Sequence, residues 1–276
     1  MSAHIVFVGG GNMAASLIGG LLKAGHPAAA ISVAEPFAER AAWLRQTFAV
    51  RTAPAAGKLV ADADVLVLAV KPQQMREALD SLALRRGCVV VSIAAGIQLA
   101  SLARWLVSDV HLVRTMPNTP ALLGAGITGL YAPPSVPAEA RRLAEYVLGA
   151  AGACVWLDSE AQIDAVTAVS GSGPAYFFLL TEAMREAGVK LGLAPEIAAR
   201  LALQTFIGAA RMAEDGAARG TDVAQLRANV TSKGGTTEAA IRHLESAGLR
   251  ATLDDALRAA ADRGRELGEL LAKDPR

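Results

Sequence analysis

The feature that most constrains the fold is a change of pattern near residue 158. Before it, short apolar runs such as "HIVFVG", "AISVAE", "ADVLVLAV", "CVVVSIAA" and "VHLVRTM" alternate with helical patterns. Strands that are apolar throughout are buried on both faces, as in a parallel sheet covered by helices. After it we find only helical stretches separated by glycines. The pattern predicts a doubly wound parallel α/β domain over residues 1–158 and an all-helical domain over residues 159–276.

Composition limits the partners that this chain can have. Of its 276 residues, 53% are hydrophobic and 19% are charged, with a net charge of +1. No dense Lys/Arg cluster appears, so nucleic acid is not expected as a partner. No uninterrupted apolar run has membrane-spanning length, and the N-terminus lacks the basic start of a signal peptide. We therefore expect a cytoplasmic protein that does not bind membranes.

The helical half is unusually apolar in stretches such as "AYFFLLTEA" and "LALQTFIGAA". Such a surface predicts that part of it is buried against a second subunit. The thiols of Cys88 and Cys154 lie in apolar runs, where they can pair or act as small core residues; a reducing cytoplasm favours the second interpretation. The four histidines are scattered and no metal-ligand spacing occurs, so no metal is expected.

The first strand leads into a glycine-rich turn. Gly9-x-Gly11-x-x-Ala14 fits the G-x-G-x-x-G/A pattern that binds dinucleotides between a strand and a helix. Gly9 permits the tight turn, Gly11 lets the backbone approach a pyrophosphate, and Ala14 permits close packing of the helix. A purely structural turn is the alternative. The same turn contains three further candidate cofactor-binding residues, Gly10, Asn12 and Met13.

The second strand ends in Glu35, where an acid accepts from the ribose 2′-hydroxyl of NAD. Glu35 could equally be an ordinary acidic residue in a turn. Arg40 lies close enough along the chain to contact the 2′-phosphate of NADP instead. The sequence leaves the choice between NADH and NADPH open.

The next strands also end in small or polar residues. Lys71 and Pro72 follow "VLAV", Ala94 to Gly96 follow "VVVSI", and Pro117 and Asn118 follow "VRTM". Ligands of such sheets bind beyond the carboxyl ends of the strands, so these residues are expected to form a crevice. Lys71 could instead form an ion pair, and Asn118 could hold a carboxamide or cap its turn.

A second glycine motif lies far from the first, in "VTSKGGTTEAAI". Ser232 precedes two glycines, Thr236 and Thr237 follow them, and a helical pattern begins at once. Backbone N–H groups, hydroxyls and a helix N-terminus within one short loop predict an anion-binding site.

Together these motifs resemble the Δ1-pyrroline-5-carboxylate reductase family. The matching stretches are "GGGNMA", "AVKPQ", "MPNTPA", "SGSGPAYFF" and "VTSKGGTTEAAI", in the expected order along almost the whole chain. The resemblance implies a Rossmann-like domain, a helical domain that interleaves with its twin in a homodimer, and larger assemblies of dimers in some members. It implies NADPH or NADH as cofactor and reduction of the cyclic imine 1-pyrroline-5-carboxylate to proline.

The resemblance also implies roles for residues. Gly9 to Ala14 and Ala69, Val70, Lys71 and Pro72 would line the cofactor. Ala94, Ala95, Gly96, Pro117 and Asn118 would lie near the nicotinamide. Ser232, Gly235, Thr236 and Thr237 would hold the substrate carboxylate, with the Thr237 hydroxyl approaching the ring nitrogen.

The chain departs from the family in two places. Many members have proline at the position of Lys233, and many carry an asparagine for the adenosine where this chain has "APAAGKL". A β-hydroxyacid dehydrogenase is the nearest alternative enzyme, but "GSGPAYFFLLTEA" lacks the lysine that accepts a proton in that reaction. A nicotinamide-sensing protein without turnover is a further alternative, although the hydroxyls of "GGTT" are intact.

Overall fold

The computed structural model describes residues 2–80, 82–106 and 109–273. Its backbone contacts form two compact units. The first comprises Met1–Ser172 together with Ala259–Arg276, and the second comprises Gly173–Arg258.

The first unit is built on one eight-stranded sheet with the order β3-β2-β1-β4-β5-β6-β7-β8. Neighbouring strands are parallel except β6 and β7, which are antiparallel. The carboxyl ends of β1, β2, β4, β5 and β6 therefore lie at the same edge. The strands are β1 (Ile5–Val8), β2 (Ile31–Ala34), β3 (Arg51–Ala53), β4 (Val65–Leu68), β5 (Val89–Ser92), β6 (His111–Met116), β7 (Gly126–Tyr131) and β8 (Gly152–Trp156).

Within the described residues, six α-helices follow strands of this sheet, and the first five of them each connect one strand to the next. They are α1 (Asn12–Lys23), α2 (Ala38–Phe48), α3 (Met75–Leu79), α4 (Leu99–Trp105), α5 (Ala138–Gly149) and α6 (Gln162–Val166). A turn of π-helix, Thr167–Gly171, follows α6 directly.

Successive side chains of the central strands point to opposite faces of the sheet, and those on both faces are buried. Ile5 and Phe7 of β1 pack in one apolar cluster with side chains of α1, α2 and α5. Val6 and Val8 pack in a second cluster with side chains of α3 and α4. The sheet thus has a core on each face, which explains why its central strands are apolar throughout.

The predicted α/β architecture is confirmed, with two differences. The sheet is mostly rather than wholly parallel, because β7 runs against β6. The three-residue strand β3 was not predicted, since "RTA" is too short and too polar to show a strand pattern.

The second unit contains α7 (Gly173–Lys190), α8 (Pro195–Ala218), α9 (Val223–Asn229), α10 (Thr236–Ser246) and the first part of α11 (Leu249–Lys273). Gly216 lies within α8. A Cβ there would lie 2.9 Å from Leu226 Cδ1, so the glycine permits close packing of α9.

Within residues 173–258, all of which the structure describes, the buried residues are small: Gly173, Ala198, Ala202 and Gly216. Large apolar side chains are more than half exposed along α7 and α8 and between them; they include Phe177, Phe178, Leu179, Leu180, Leu191, Ile197, Leu201 and Leu203. In this chain alone, the unit has no core of large side chains.

One helical stretch, Gln162–Lys190, is long and apolar enough by length and composition to cross a membrane, and little of its most apolar part is buried. Sequence inspection missed it because small and polar residues interrupt the stretch. A helix that buries its apolar face against another chain meets the same criterion.

Candidate functional site

Gly9 forms the tight turn after β1. Its N–H donates to the carbonyl oxygen of Ala34, and its φ is +95°. A Cβ at this position would lie 2.7 Å from the carbonyl oxygen of Ala69. Both the left-handed backbone and the close approach of β4 therefore require glycine here.

Gly10 is held by side chains at both of its backbone groups. Its N–H donates to Glu35 Oε2 over 2.9 Å, and its carbonyl oxygen accepts from Arg40 Nε over 2.6 Å. A Cβ on Gly10 would lie 2.5 Å from Leu44 Cδ1 and 3.0 Å from Glu35 Oε2. The segment after β2 thus fixes the conformation of the glycine turn.

Gly11 leaves the start of α1 open. It is the N-cap of α1, and no side chain caps the helix there. A Cβ on Gly11 would meet no atom within 4 Å. The first N–H groups of a helix seek an acceptor and favour an anion, so this space suits a phosphate group.

These residues border a cavity of about 800 Å³ at the carboxyl edge of the sheet. The predicted cofactor residues that line it are Gly9, Gly10, Gly11, Asn12, Glu35, Ala69, Val70 and Lys71. Residues from the ends of three neighbouring strands therefore meet at one site. In the described part of the chain, no carboxylate lies within ion-pair distance of Lys71.

Other predicted residues are not among those that line this cavity. They are Met13, Ala14, Pro72, Ala94, Ala95, Gly96, Pro117 and Asn118. Ala14 is fully buried in the core beneath the turn, in agreement with its predicted packing role. Asn118 is buried, and its Oδ1 accepts the N–H of Ile127 in β7, so its side chain ties the turn after β6 to the neighbouring strand and does not cap the turn itself.

The loop after β5 contacts the C-terminal helix. Gly96 has φ +77°, and a Cβ there would lie 3.4 Å from the backbone nitrogen of Gly268 in α11. A side chain at position 96 would therefore be strained and would crowd α11.

Sequence reasoning missed several residues of the cavity. They follow β2, β3 and β4, and include Phe37, Pro54, Ala55, Ala56, Gly57, Gln74, Glu77 and Asp80. Without β3, the stretch "APAAGKL" could not be placed at the sheet edge. Its residues in the cavity wall, Pro54 to Gly57, contribute mainly apolar surface.

A buried ionic network was also missed. Arg114, 4% exposed in β6, donates to Glu160 Oε1 over 3.0 Å and lies 3.6 Å from Asp164. Glu160 Oε1 also accepts the N–H of Leu99 at the start of α4. An arginine inside an apolar strand was the signal, since a buried guanidinium requires acidic partners.

The second unit contains the GGTT loop, defined as Ser232–Thr237. Gly234 has φ +74°, and its N–H donates to Glu238 Oε2 over 2.7 Å. A Cβ on Gly235 would lie 2.5 Å from Ser232 Oγ. The loop therefore needs both glycines to turn tightly into α10.

The GGTT loop presents free donors. Gly235 is the N-cap of α10, and no side chain caps that helix. The hydroxyls of Ser232, Thr236 and Thr237 make no hydrogen bond to any described residue. Free hydroxyls beside open N–H groups can together bind a carboxylate.

The two thiols have no role in this arrangement. Burial raises the pKa of Cys88 to about 11, and burial together with Glu145 raises that of Cys154 to about 11. Both remain protonated near neutral pH, which makes them poor nucleophiles.

The sequence matches two family models. One, described as pyrroline-5-carboxylate reductase dimerisation, covers residues 160–267, and the other, NADP oxidoreductase coenzyme F420-dependent, covers residues 4–96. The pyrroline-5-carboxylate reductase of Pseudomonas aeruginosa is 52% identical over 272 residues, which cover 98% of each chain. The chain belongs to the pyrroline-5-carboxylate reductase family.

Other members of the family agree with this. The Haemophilus influenzae enzyme is 41% identical over 96% of this chain and 98% of its own length. A solved structure of the Coxiella burnetii reductase has a TM-score of 0.89 at 41% identity and covers 97% of this chain and 99% of that one. The resemblance drawn from the motifs is confirmed.

A second solved structure from the family, that of the Plasmodium falciparum reductase, has NADP bound. It has a TM-score of 0.79 at 27% identity, over 96% of this chain and 98% of that chain. The residues present here fit a dinucleotide, since a Cβ on Gly11 would project into open space and the cavity lies at the switch between β1 and β4.

Proposed function

We propose that this chain is an NAD(P)H-dependent pyrroline-5-carboxylate reductase. It reduces the C=N bond of 1-pyrroline-5-carboxylate to give L-proline, the last step of proline biosynthesis. Membership of the family supports the reaction, and the cavity beside the glycine turn supports the use of a dinucleotide.

The cofactor is assigned to the cavity of the first unit. In this proposal the glycine turn, Gly9–Ala14, and the N-terminus of α1 hold the pyrophosphate, and Ala69, Val70, Lys71 and Pro72 flank it. The stretch Ala94–Gly96 and the Pro117–Asn118 turn adjoin the nicotinamide. The conformation of Gly9 and the open space at Gly11 support the first of these assignments.

The substrate carboxylate is assigned to the GGTT loop. The observation that carries this assignment is that the loop presents three unengaged hydroxyls beside an uncapped helix N-terminus. Ser232, Gly235, Thr236 and Thr237 would donate to the two carboxylate oxygens. Lys233 is exposed and adds a positive charge nearby.

The proposed reaction does not require a strong acid or base from the protein. When bound, NAD(P)H would supply a hydride to the carbon of the C=N bond; the substrate is taken as the iminium, already protonated on nitrogen from solvent, so that the hydride alone completes the secondary amine. In the proposal, the backbone N–H of Thr237 belongs to the carboxylate site, while its hydroxyl oxygen accepts the iminium N–H and so orients the ring. A threonine hydroxyl is a poor acid, so orientation rather than proton donation is its assigned role.

We further infer a homodimer, or a larger assembly of dimers, in the cytoplasm. The substrate-binding and dimerisation domain would comprise residues 159–276, and the nucleotide-binding domain residues 1–158. The dimerisation family model and the exposed apolar side chains of α7 and α8 support this assembly. A partner chain would cover the stretch Gln162–Lys190 that otherwise meets the criterion for a membrane helix.

The direct test is steady-state oxidation of NADPH and of NADH, followed by absorbance at 340 nm with and without 1-pyrroline-5-carboxylate. We expect oxidation only with the imine present, with proline formed in equal amount. Binding of both nucleotides without any imine-dependent oxidation would refute the reductase and favour a sensor.

A further inference from the structure

Glu35 lines the cavity, but both oxygens of its carboxylate are engaged by the protein's own backbone. Its side chain is 6% exposed, Oε2 accepts the N–H of Gly10, and Oε1 accepts the N–H of Phe37, both over 2.9 Å. Each carboxylate oxygen is thus hydrogen-bonded to the backbone, and the two N–H dipoles offset part of its negative charge. These contacts give Glu35 a role in holding the turn without any ligand.

Arg40, unlike Glu35, has a side-chain nitrogen without a hydrogen-bond partner among the described residues. Its Nε donates to the carbonyl oxygen of Gly10, and its Cζ lies 4.1 Å from the centroid of the Trp43 ring, so the guanidinium is positioned by two contacts. Its Nη2 is buried without a hydrogen-bond partner among the described residues, and no described carboxylate lies within ion-pair distance. Arg40 nevertheless lines the cavity.

We propose that Arg40 binds the phosphate on the adenosine ribose 2′-oxygen, that Glu35 holds the glycine turn, and that the chain therefore prefers NADPH to NADH. A buried guanidinium donor without an acceptor is costly, and a phosphate monoester supplies both the acceptor and the opposite charge. Stacking on Trp43 orders the guanidinium beforehand, which lowers the entropic cost of binding. This inference rests on the proposed cofactor cavity.

Lys71 is the other basic residue on the cavity wall. It follows β4, whereas Arg40 lies in α2, after β2, where the ribose of a dinucleotide is expected. The side chain of Lys71 is exposed, and none of the hydrogen bonds among described residues fixes it. Lys71 is therefore expected to contribute to both nucleotides alike rather than to distinguish them.

The test uses nucleotide fragments, so that turnover is not needed. Isothermal titration calorimetry would compare 2′,5′-ADP with 5′-AMP on the full chain, and fluorescence titration would compare NADPH with NADH. We expect the 2′-phosphate to strengthen binding by about 10- to 100-fold, the range of charge-assisted hydrogen bonds. Raising the salt concentration should reduce that preference.

The variant Arg40→Met should bring the ratio of 2′,5′-ADP affinity to 5′-AMP affinity close to one; the lost contact with the Gly10 carbonyl oxygen affects both fragments alike and leaves this ratio unaffected. Arg45→Met is the matched control: it is on the same helix, is exposed, and donates to Thr52 rather than lining the cavity. It should keep the wild-type ratio. A ratio that survives Arg40→Met, or a wild-type chain that binds the two fragments equally, would overturn the proposal.

Two further variants separate the alternatives. Glu35→Gln replaces one of the two oxygens that accept backbone N–H groups and should weaken the binding of NADH and of NADPH by the same factor. Selective loss of NADH binding would show that Glu35 accepts from the ribose hydroxyl, which would contradict the proposal. Lys71→Met should leave the ratio of 2′,5′-ADP affinity to 5′-AMP affinity unchanged. Loss of the 2′-phosphate preference in this variant would show that Lys71, and not Arg40, binds the phosphate. Failure of the wild-type chain to bind any of these nucleotides would contradict the cofactor cavity itself.

Discussion

At the scale of single residues, the hydroxyl of Thr237 gives the sharpest test of the substrate assignment. Thr237→Val keeps the shape of the side chain and removes the hydroxyl. If the hydroxyl contacts the imine, kcat/KM should fall by about 10- to 100-fold, the worth of a hydrogen bond to a charged group. The dissociation constant of the nucleotide should stay nearly constant, which fluorescence titration would check.

Thr231 provides the matched control because its hydroxyl donates to the carbonyl oxygen of Arg227, not to a ligand. Thr231→Val should change kcat/KM little. If Thr237→Val weakened nucleotide binding and imine turnover together, the residue would not be acting on the substrate alone, and its assignment would be wrong.

Two adjacent glycines should respond in opposite ways. Gly11 is in ordinary extended backbone, and a Cβ would meet nothing within 4 Å, so Gly11→Val should fold normally and lose cofactor affinity. In Gly10→Ala the new methyl group would lie 2.5 Å from Leu44 Cδ1, so the free energy of unfolding should fall by about 1–3 kcal/mol. Thermal melts without nucleotide and nucleotide titrations would separate the two effects.

The glycine prediction fails if Gly11→Val binds NADPH and NADH as tightly as the wild-type chain. In that case the space above the start of α1 would not hold the pyrophosphate. A Gly10→Ala variant as stable as wild type would show instead that Leu44 can move aside.

At the scale of secondary-structure elements, the Arg114 network joins β6, α4 and α6. Glu160→Gln removes the charge that faces a buried guanidinium, while Asp164 remains 3.6 Å away. We expect the free energy of unfolding to fall by about 1–3 kcal/mol, which would lower the melting temperature by several degrees. The exposed pair of Glu139 and Arg142 is the control, and Glu139→Gln should change stability by less than about 1 kcal/mol.

Equal and small effects of the two substitutions would show that the Arg114 network contributes no more than a surface ion pair. A larger effect of Glu160→Gln on the start of α4 could be observed separately by amide hydrogen exchange at Leu99, whose N–H donates to Glu160.

Most elements could be predicted from the sequence because each has a strong local signal. Buried strands are continuous apolar runs, and α10 begins where the sequence predicts a helix, directly after the glycines of the GGTT loop. The strand β3 has no such signal, since its pairing with β2 depends on the rest of the sheet. Helix α6 and the π-helical turn after it were also missed, because segments of five residues are too short to show a helical pattern.

The candidate site could be predicted only in part. Sequence placed Gly9, Glu35 and Lys71 near one another, because carboxyl ends of parallel strands meet at one edge. It could not show which atoms the side chains contact. That the carboxylate of Glu35 is turned to the backbone of Gly10, while Arg40 keeps a free donor, depends on side-chain orientation after the fold has formed.

At the scale of the whole molecule, the exposed apolar side chains of the second unit predict self-association. Phe178 is 61% exposed on α7. If it contacts a second copy, Phe178→Asp should shift the protein from dimers, or multiples of dimers, toward monomers in sedimentation velocity experiments. Val155→Asp, at an exposed apolar position on the edge strand β8, is the control and should leave the dimer intact.

An unchanged oligomer in Phe178→Asp, confirmed with a second substitution at Leu201 on α8, would place the interface elsewhere. Flotation with lipid vesicles tests whether this apolar surface binds a membrane instead of a second copy of the chain. Binding of the wild-type chain to vesicles, with no self-association in their absence, would contradict the dimer.

The scarcity of large buried side chains in residues 173–258 also bears on how stability should be measured. A unit whose buried residues are only glycine and alanine gains little from folding alone, so most of its cohesion would come from association. Mass action would then make the melting temperature rise with protein concentration. For such a chain, a single melting temperature is meaningful only together with the concentration at which it was recorded.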